Sequence, residues 1–148
     1  MRSMKFLEKR KPPTALASAT GPMGAPGAAD ATTTRQRGNA AEDKALAHLQ
    51  AAGLRLAVRN YRTPGRGGGE IDLVMRDRDG TLVFVEVRSR ASSAFGGAGG
   101  SISQTKQQRI VFAARHYLLR LPSPPPCRFD VVLVEDSVQW LKAAFDAQ

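Results

Sequence analysis

The sequence predicts an α/β domain in the order helix, three strands, helix, strand, with a mixed central sheet flanked by helices. Three observations carry that expectation. Apolar residues recur at helical spacing in two separate stretches, around Ala41–Ala52 and Ile110–Leu121. Three runs with strand-like patterning lie between them, and the β-branched run RFDVVLVE follows the second stretch. A strand joined to the next through a helix pairs with it in parallel by a right-handed crossover, whereas strands joined by a short turn pair antiparallel, so the sheet is mixed.

The first helix is expected to begin near Gly38, because Ala41, Ala45, Leu49 and Ala52 share one face with Leu46 beside them, and Gly53 supplies a stop. LRLAVRNY then alternates as a first strand, with Leu54, Leu56 and Val58 on one side and Arg55, Arg59 and Tyr61 mostly on the other. TPGRGGG breaks regular structure and reads as a flexible linker, since it lacks the Gly-Lys-Ser/Thr ending of a phosphate-binding loop. EIDLVMRD and TLVFVEVRS follow as the second and third strands. The glycine-rich stretch from Ala91 to Ser103 reads as a mobile loop. A second helix is expected near Thr105, capped by Ser103, burying Ile110, Ala113, Ala114, Tyr117, Leu118 and Leu121 and ended by PSPPP. After the fourth strand, WLKAAF suggests a short closing helix.

A chain of 148 residues with 42% hydrophobic content supports one globular domain, taken as residues 38–148. Residues 1–37 are rich in Ala, Pro and Gly without hydrophobic period and read as a disordered basic tail. That tail holds seven basic and two acidic side chains, a net +5 of the chain's +9, and its KFLEKRK cluster can add nonspecific attraction to a polyanion. A basic excess of this size favours nucleic acid as a partner. The single cysteine, Cys127, fits a reducing compartment, and no stretch approaches the roughly 18 apolar residues of a membrane span. A cytoplasmic protein without signal peptide or membrane anchor is expected.

The turn between the second and third strands sets the register. If Arg78, Asp79 and Gly80 form a three-residue loop with glycine in the left-handed position, Asp77 pairs with Thr81. Ile71 then faces Val87, Leu73 faces Val85 and Met75 faces Val83, an apolar face for a helix to cover. Asp72 faces Glu86 and Glu70 faces Arg88 on the other side. A two-residue turn would set Leu73 against Glu86 and mix charge into both faces. Directly paired residues lie roughly 4.5–5.5 Å apart, so Asp72 and Glu86 would repel unless a divalent cation joined them; the alternative is that the acids pair with arginines, Glu86 with a neighbour such as Arg59 and Glu70 with Arg88.

GEID at Gly69–Asp72, FVEVR at Phe84–Arg88, AFG at Ala94–Gly96, KQQRI at Lys106–Ile110 and RFDVV at Arg128–Val132 resemble the YraN-like family of small bacterial proteins. That family is placed in the restriction-endonuclease-like superfamily, whose signature is written PD-(D/E)XK. The resemblance runs from residue 38 to about 135 and implies a restriction-endonuclease-like αβββαβ core with a nuclease site. It assigns the signature aspartate to Asp72, the acidic member of the pair to Glu86 and the basic member to Arg88. It also aligns Glu42 of the first helix as a further metal-associated carboxylate and Lys106 as the lysine opening the second helix.

The resemblance thus implies phosphodiester hydrolysis with Mg²⁺ or Mn²⁺ between Asp72 and Glu86, supported by Glu42, and with Arg88 and Lys106 holding charge on the phosphate. DNA rather than RNA is the expected substrate, branched or damaged DNA included, and a symmetric junction would call for a homodimer. Arg88 departs from the superfamily's lysine: a guanidinium stays protonated and suits phosphate, but is a poor proton acceptor. A nuclease fold that binds nucleic acid without cleaving it is the alternative. Arg55, Arg59, Arg62 and Arg66, with Arg109 of KQQRI, are candidates for a phosphate track, or for a solvated edge. His48 and His116 have no partner at metal-ligand spacing, and Asp130 is expected to be structural.

Overall fold

A computed structural model describes residues 34–89 and 102–147. The tail as far as residue 33, most of the loop expected at 91–103 and the AFG block lie outside the described residues. The elements are α1 (Thr34–Ala51), β1 (Arg55–Arg62), β2 (Glu70–Arg76), β3 (Leu82–Ser89), α2 (Gln104–Leu118), β4 (Cys127–Val134) and β5 (Val138–Phe145). They form a five-stranded sheet in sequence order, with β3 and β4 parallel and the other neighbours antiparallel. This mixed sheet with two helices matches the expected restriction-endonuclease-like core.

The β2–β3 turn closes as its sequence requires. Asp77 N–H donates to Thr81 O at 2.9 Å, Gly80 N–H donates to Asp77 O at 3.0 Å, and Gly80 takes φ +90°. The three-residue loop sets Leu73 against Val85 and Met75 against Val83. Both faces of the sheet are covered. Leu73, Met75, Val83, Val85, Val132 and Val134 pack with Ala41, Ala45 and Leu49 of α1. Val74, Leu82, Phe84 and Phe129 pack with Ile110, Ala113, Ala114 and Tyr117 of α2.

Four local expectations are corrected. Ile71 was expected beside Leu73 but lies in the α2 cluster, so strand alternation breaks at Asp72 between them. Along β1 the register shifts between Leu56 and Val58, and Asn60 takes φ +56°. An irregularity of that kind shifts the phase of a strand, so Tyr61 is buried and Leu56 is exposed. Helix α1 starts at Thr34, four residues earlier than its apolar period suggested, because its first turn carries no buried residue.

The fourth concerns WLKAAF, which forms most of β5 rather than a helix. Asp130 decides this. Its fully buried carboxylate accepts from Trp140 Nε1–H at 2.9 Å and from the Ala143 amide at 2.9 Å, besides the Arg128 guanidinium at 3.1 Å. These bonds hold β5 on the edge of β4 and override a helix preference that is weak for so short a segment.

Candidate metal and phosphate site

Asp72 sits where β2 breaks its alternation, and Glu86 lies on the neighbouring strand one residue beyond the pairing of Leu73 with Val85. The Val87 amide donates to Asp72 Oδ2 at 2.8 Å, and the Asp72 and Glu86 carboxyl groups line one cavity close enough to feel each other's charge. Two neighbouring carboxyl groups shielded from water favour keeping a proton. Burial, followed by the negative charge of Asp72, pushes Glu86 up to about 8, and burial raises Asp72 as well. Lys106 Nζ stands 3.7 Å from Glu86 Oε2 and draws both carboxyls the other way.

The carboxyl pair opens into a cavity of about 560 Å³ walled by Glu42, Asp72, Glu86, Arg88 and Lys106, with Arg37 of α1 at its rim. Four elements therefore meet at one site: α1, β2, β3 and the start of α2. Ser103 fixes the last of these, its Oγ accepting from the Lys106 amide at 3.1 Å as the expected N-cap. Arg37 went unrecognised in the sequence because it was assigned to the tail, although it lies one helical turn before buried Ala41.

Two carboxylates that line one cavity, Glu86 buried and Asp72 half-buried, make a hard-oxygen donor set. That set fits Mg²⁺ or Mn²⁺, since magnesium keeps several waters and takes only one or two carboxylates from the protein. Glu42 lines the same cavity but turns to Arg59, whose Nε lies 3.3 Å from Glu42 Oε1. Its pKa is raised, first by burial and then by Asp72. Among the described residues no three His, Cys, Asp or Glu side chains are grouped to hold a metal ion.

The arginines divide. Arg59 is engaged by Glu42 and by Asp43 at 2.8 Å, so the Glu86–Arg59 pairing weighed from sequence is replaced by Glu86–Lys106. Arg62 pairs with Glu70 at 3.3 Å, in place of the Glu70–Arg88 pair. Arg55 and Arg66 are exposed and do not line the acidic cavity, while Arg109 and Arg62 line a neighbouring cavity walled by the glycines of the loop between β1 and β2. Neither histidine lines the acidic cavity: His116 Nδ1 pairs with the Tyr61 hydroxyl, and His48 meets the edge of Trp140.

The profile of the uncharacterised protein family UPF0102 matches residues 41–134, which include all of the acidic cavity's sheet residues. The chain belongs to UPF0102. This is the YraN-like family of the PD-(D/E)XK-like nuclease superfamily that the sequence blocks resemble. A UPF0102 protein of Paracidovorax citrulli (strain AAC00-1) is 80% identical over 122 residues, covering 82% of this chain and 90% of that relative. Another from Verminephrobacter eiseniae (strain EF01-2) is 69% identical over 150 residues and covers 100% of both chains. A third, from Acidovorax sp. (strain JS42), is 74% identical over 122 residues, covering 82% of this chain and 92% of that relative. The UPF0102 relatives' names state a family and no activity. Among the described residues, no helix is long and apolar enough to cross a membrane.

Proposed function

We propose that this chain is a divalent-metal-dependent endonuclease that hydrolyses phosphodiester bonds in DNA, with branched or damaged DNA as its substrate class. The observation that carries this reading is the pairing of buried Glu86 with half-buried Asp72 on adjacent strands, beside Lys106 in one cavity. Burying two carboxyls against each other costs stability, and such strain persists where a ligand uses it. Mg²⁺ or Mn²⁺ held by Asp72 and Glu86 would supply Lewis-acid charge to the phosphate. Arg88 offers a planar, permanently charged fork to the phosphate oxygens, and Lys106 a compact ammonium, so both favour the charge that builds in the transition state.

The deciding experiment is a cleavage panel over linear, flapped and four-way DNA, with and without Mn²⁺. Cleavage is expected to depend on Mn²⁺ and to disappear in Asp72→Asn and Glu86→Gln. Products that persist in both variants would sink the assignment.

A second reading is a nucleic-acid-binding protein on the same fold without turnover. Two observations favour it: arginine at position 88 cannot accept a proton, and Lys106 already offsets charge on Glu86. It expects salt-sensitive DNA binding with no product under any divalent ion. Cleavage gained in Arg88→Lys would tie the missing step to that residue.

A further inference from the structure

Beside the acidic cavity lies a second one of about 350 Å³, lined by Arg62, Thr63, Gly65, Gly67–Gly69, Glu70, Lys106 and Arg109. Lys106 walls both cavities.

The second cavity is a built feature, because its loop has no room to be otherwise. Gly69 N–H donates to Thr63 Oγ1 at 2.8 Å and Thr63 N–H donates to Gly69 O at 3.1 Å, closing the loop at its base. A Cβ on Gly69 would stand 2.0 Å from the Arg109 carbonyl oxygen, and one on Gly68 would stand 2.0 Å from Thr63 Oγ1. The run read from sequence as a flexible linker is thus a closed loop pressed against α2 at Arg109. Gly65 at φ +87° and Gly67 at φ +73° take its left-handed corners.

The charges select the ligand. Arg62, Lys106 and Arg109 face this cavity against one carboxylate, Glu70. Arg109 is exposed, and no ion pair to it occurs among the described residues. The Arg62–Glu70 pair is solvent-exposed, so its mutual attraction is weak and the guanidinium can turn to a stronger anion.

We propose that this glycine-walled cavity is a second phosphate subsite, holding the backbone phosphate next to the one presented to Asp72 and Glu86, with Lys106 bridging the two. It rests on the nuclease-type reading of the acidic cavity. It makes a polynucleotide, rather than an isolated phosphodiester, the proper ligand: one phosphate engages the acidic cavity while its neighbour engages Arg109 and Arg62. Glu70 opposes that ligand and limits affinity.

The test is anisotropy of a short fluorescein-labelled DNA duplex across a salt series in EDTA, so that binding is read without turnover. Arg109→Ala is expected to weaken binding and to lower the slope of log affinity against log salt by about one. Glu70→Gln, which keeps size and removes the opposing charge, is expected to tighten binding. Affinity and slope unchanged in both variants would overturn the subsite. If Mn²⁺-dependent cleavage is then still lost in Asp72→Asn, the hydrolase reading stands without it. Weaker binding by Arg109→Ala in a protein that cleaves nothing would uphold the subsite and remove the hydrolase.

Discussion

Lys106 Nζ and Glu86 Oε2 stand 3.7 Å apart, joining the first turn of α2 to the third strand across the mouth of the acidic cavity. Glu86 is only 7% exposed, yet it neighbours a second, half-buried carboxyl, Asp72, on the adjacent strand. One ammonium balances one negative charge, so the arrangement is most comfortable when the two carboxyls hold a single proton.

In metal-free protein, stability should fall as pH rises from about 4.5 to about 8, the ordinary and folded values for Glu86. The sign comes from proton counting: in this window the folded state keeps a proton that the unfolded chain has released, so unfolding gains on raising pH. The contribution is whole below the lower value and gone above the upper one. One proton corresponds to a slope of about 1.4 kcal/mol per pH unit. Urea denaturation across this range should show Glu86→Gln losing that slope, and an identical slope in wild type and variant would refute the proton's location.

Divalent ions should compete with that proton. Mg²⁺ or Mn²⁺ is expected to raise Tm most where the pair is ionised, at and above about pH 8, and less below it. Thermal melts with Asp72→Asn and Glu86→Gln as controls check this without any cleavage assay. A wild-type protein indifferent to both ions at high pH would remove the metal site.

Asp130 should prove a structural residue with a large effect. Replacing it by alanine leaves the Arg128 guanidinium half-stranded beside Asp77 and frees the Trp140 indole N–H and the Ala143 amide. Breaking a buried pair by removing one partner costs about 3–5 kcal/mol, and the lower end applies because Arg128 keeps Asp77. Trp140 is the only tryptophan, so its emission reports directly on β5. Unaltered stability and emission in Asp130→Ala would contradict this role.

Two glycines should behave oppositely. Gly69→Ala drives a methyl into the Arg109 carbonyl, which is backbone and cannot rotate away, at a cost of roughly 1–3 kcal/mol. Gly38 lies in α1 with nothing within 4 Å of a built Cβ, so Gly38→Ala should stabilise by about 0.5–1 kcal/mol. Paired denaturation curves settle both, and a destabilised Gly38→Ala would show that its place in α1 is misread.

The sequence by itself determined the hairpin and the N-cap of α2. Period-two burial and one left-handed glycine leave a single register for β2 and β3, and a serine before an apolar helical run satisfies the amides of α2, so both are local consequences of residue order. It also placed Asp72 and Glu86 on facing strands, and the family blocks gave them a chemical meaning. Only the tertiary structure decided what each charge touches. Arg59 turns to Glu42 and Asp43, Arg62 to Glu70 and Lys106 to Glu86, because long side chains choose partners across elements whose distance no spacing rule contains. For the same reason WLKAAF became a strand: its own residues favour a helix weakly, while a carboxylate buried ten residues earlier binds Trp140. The loop at Gly68–Gly69 is the clearest case, since its glycines read as freedom in the sequence and prove to be the absence of space.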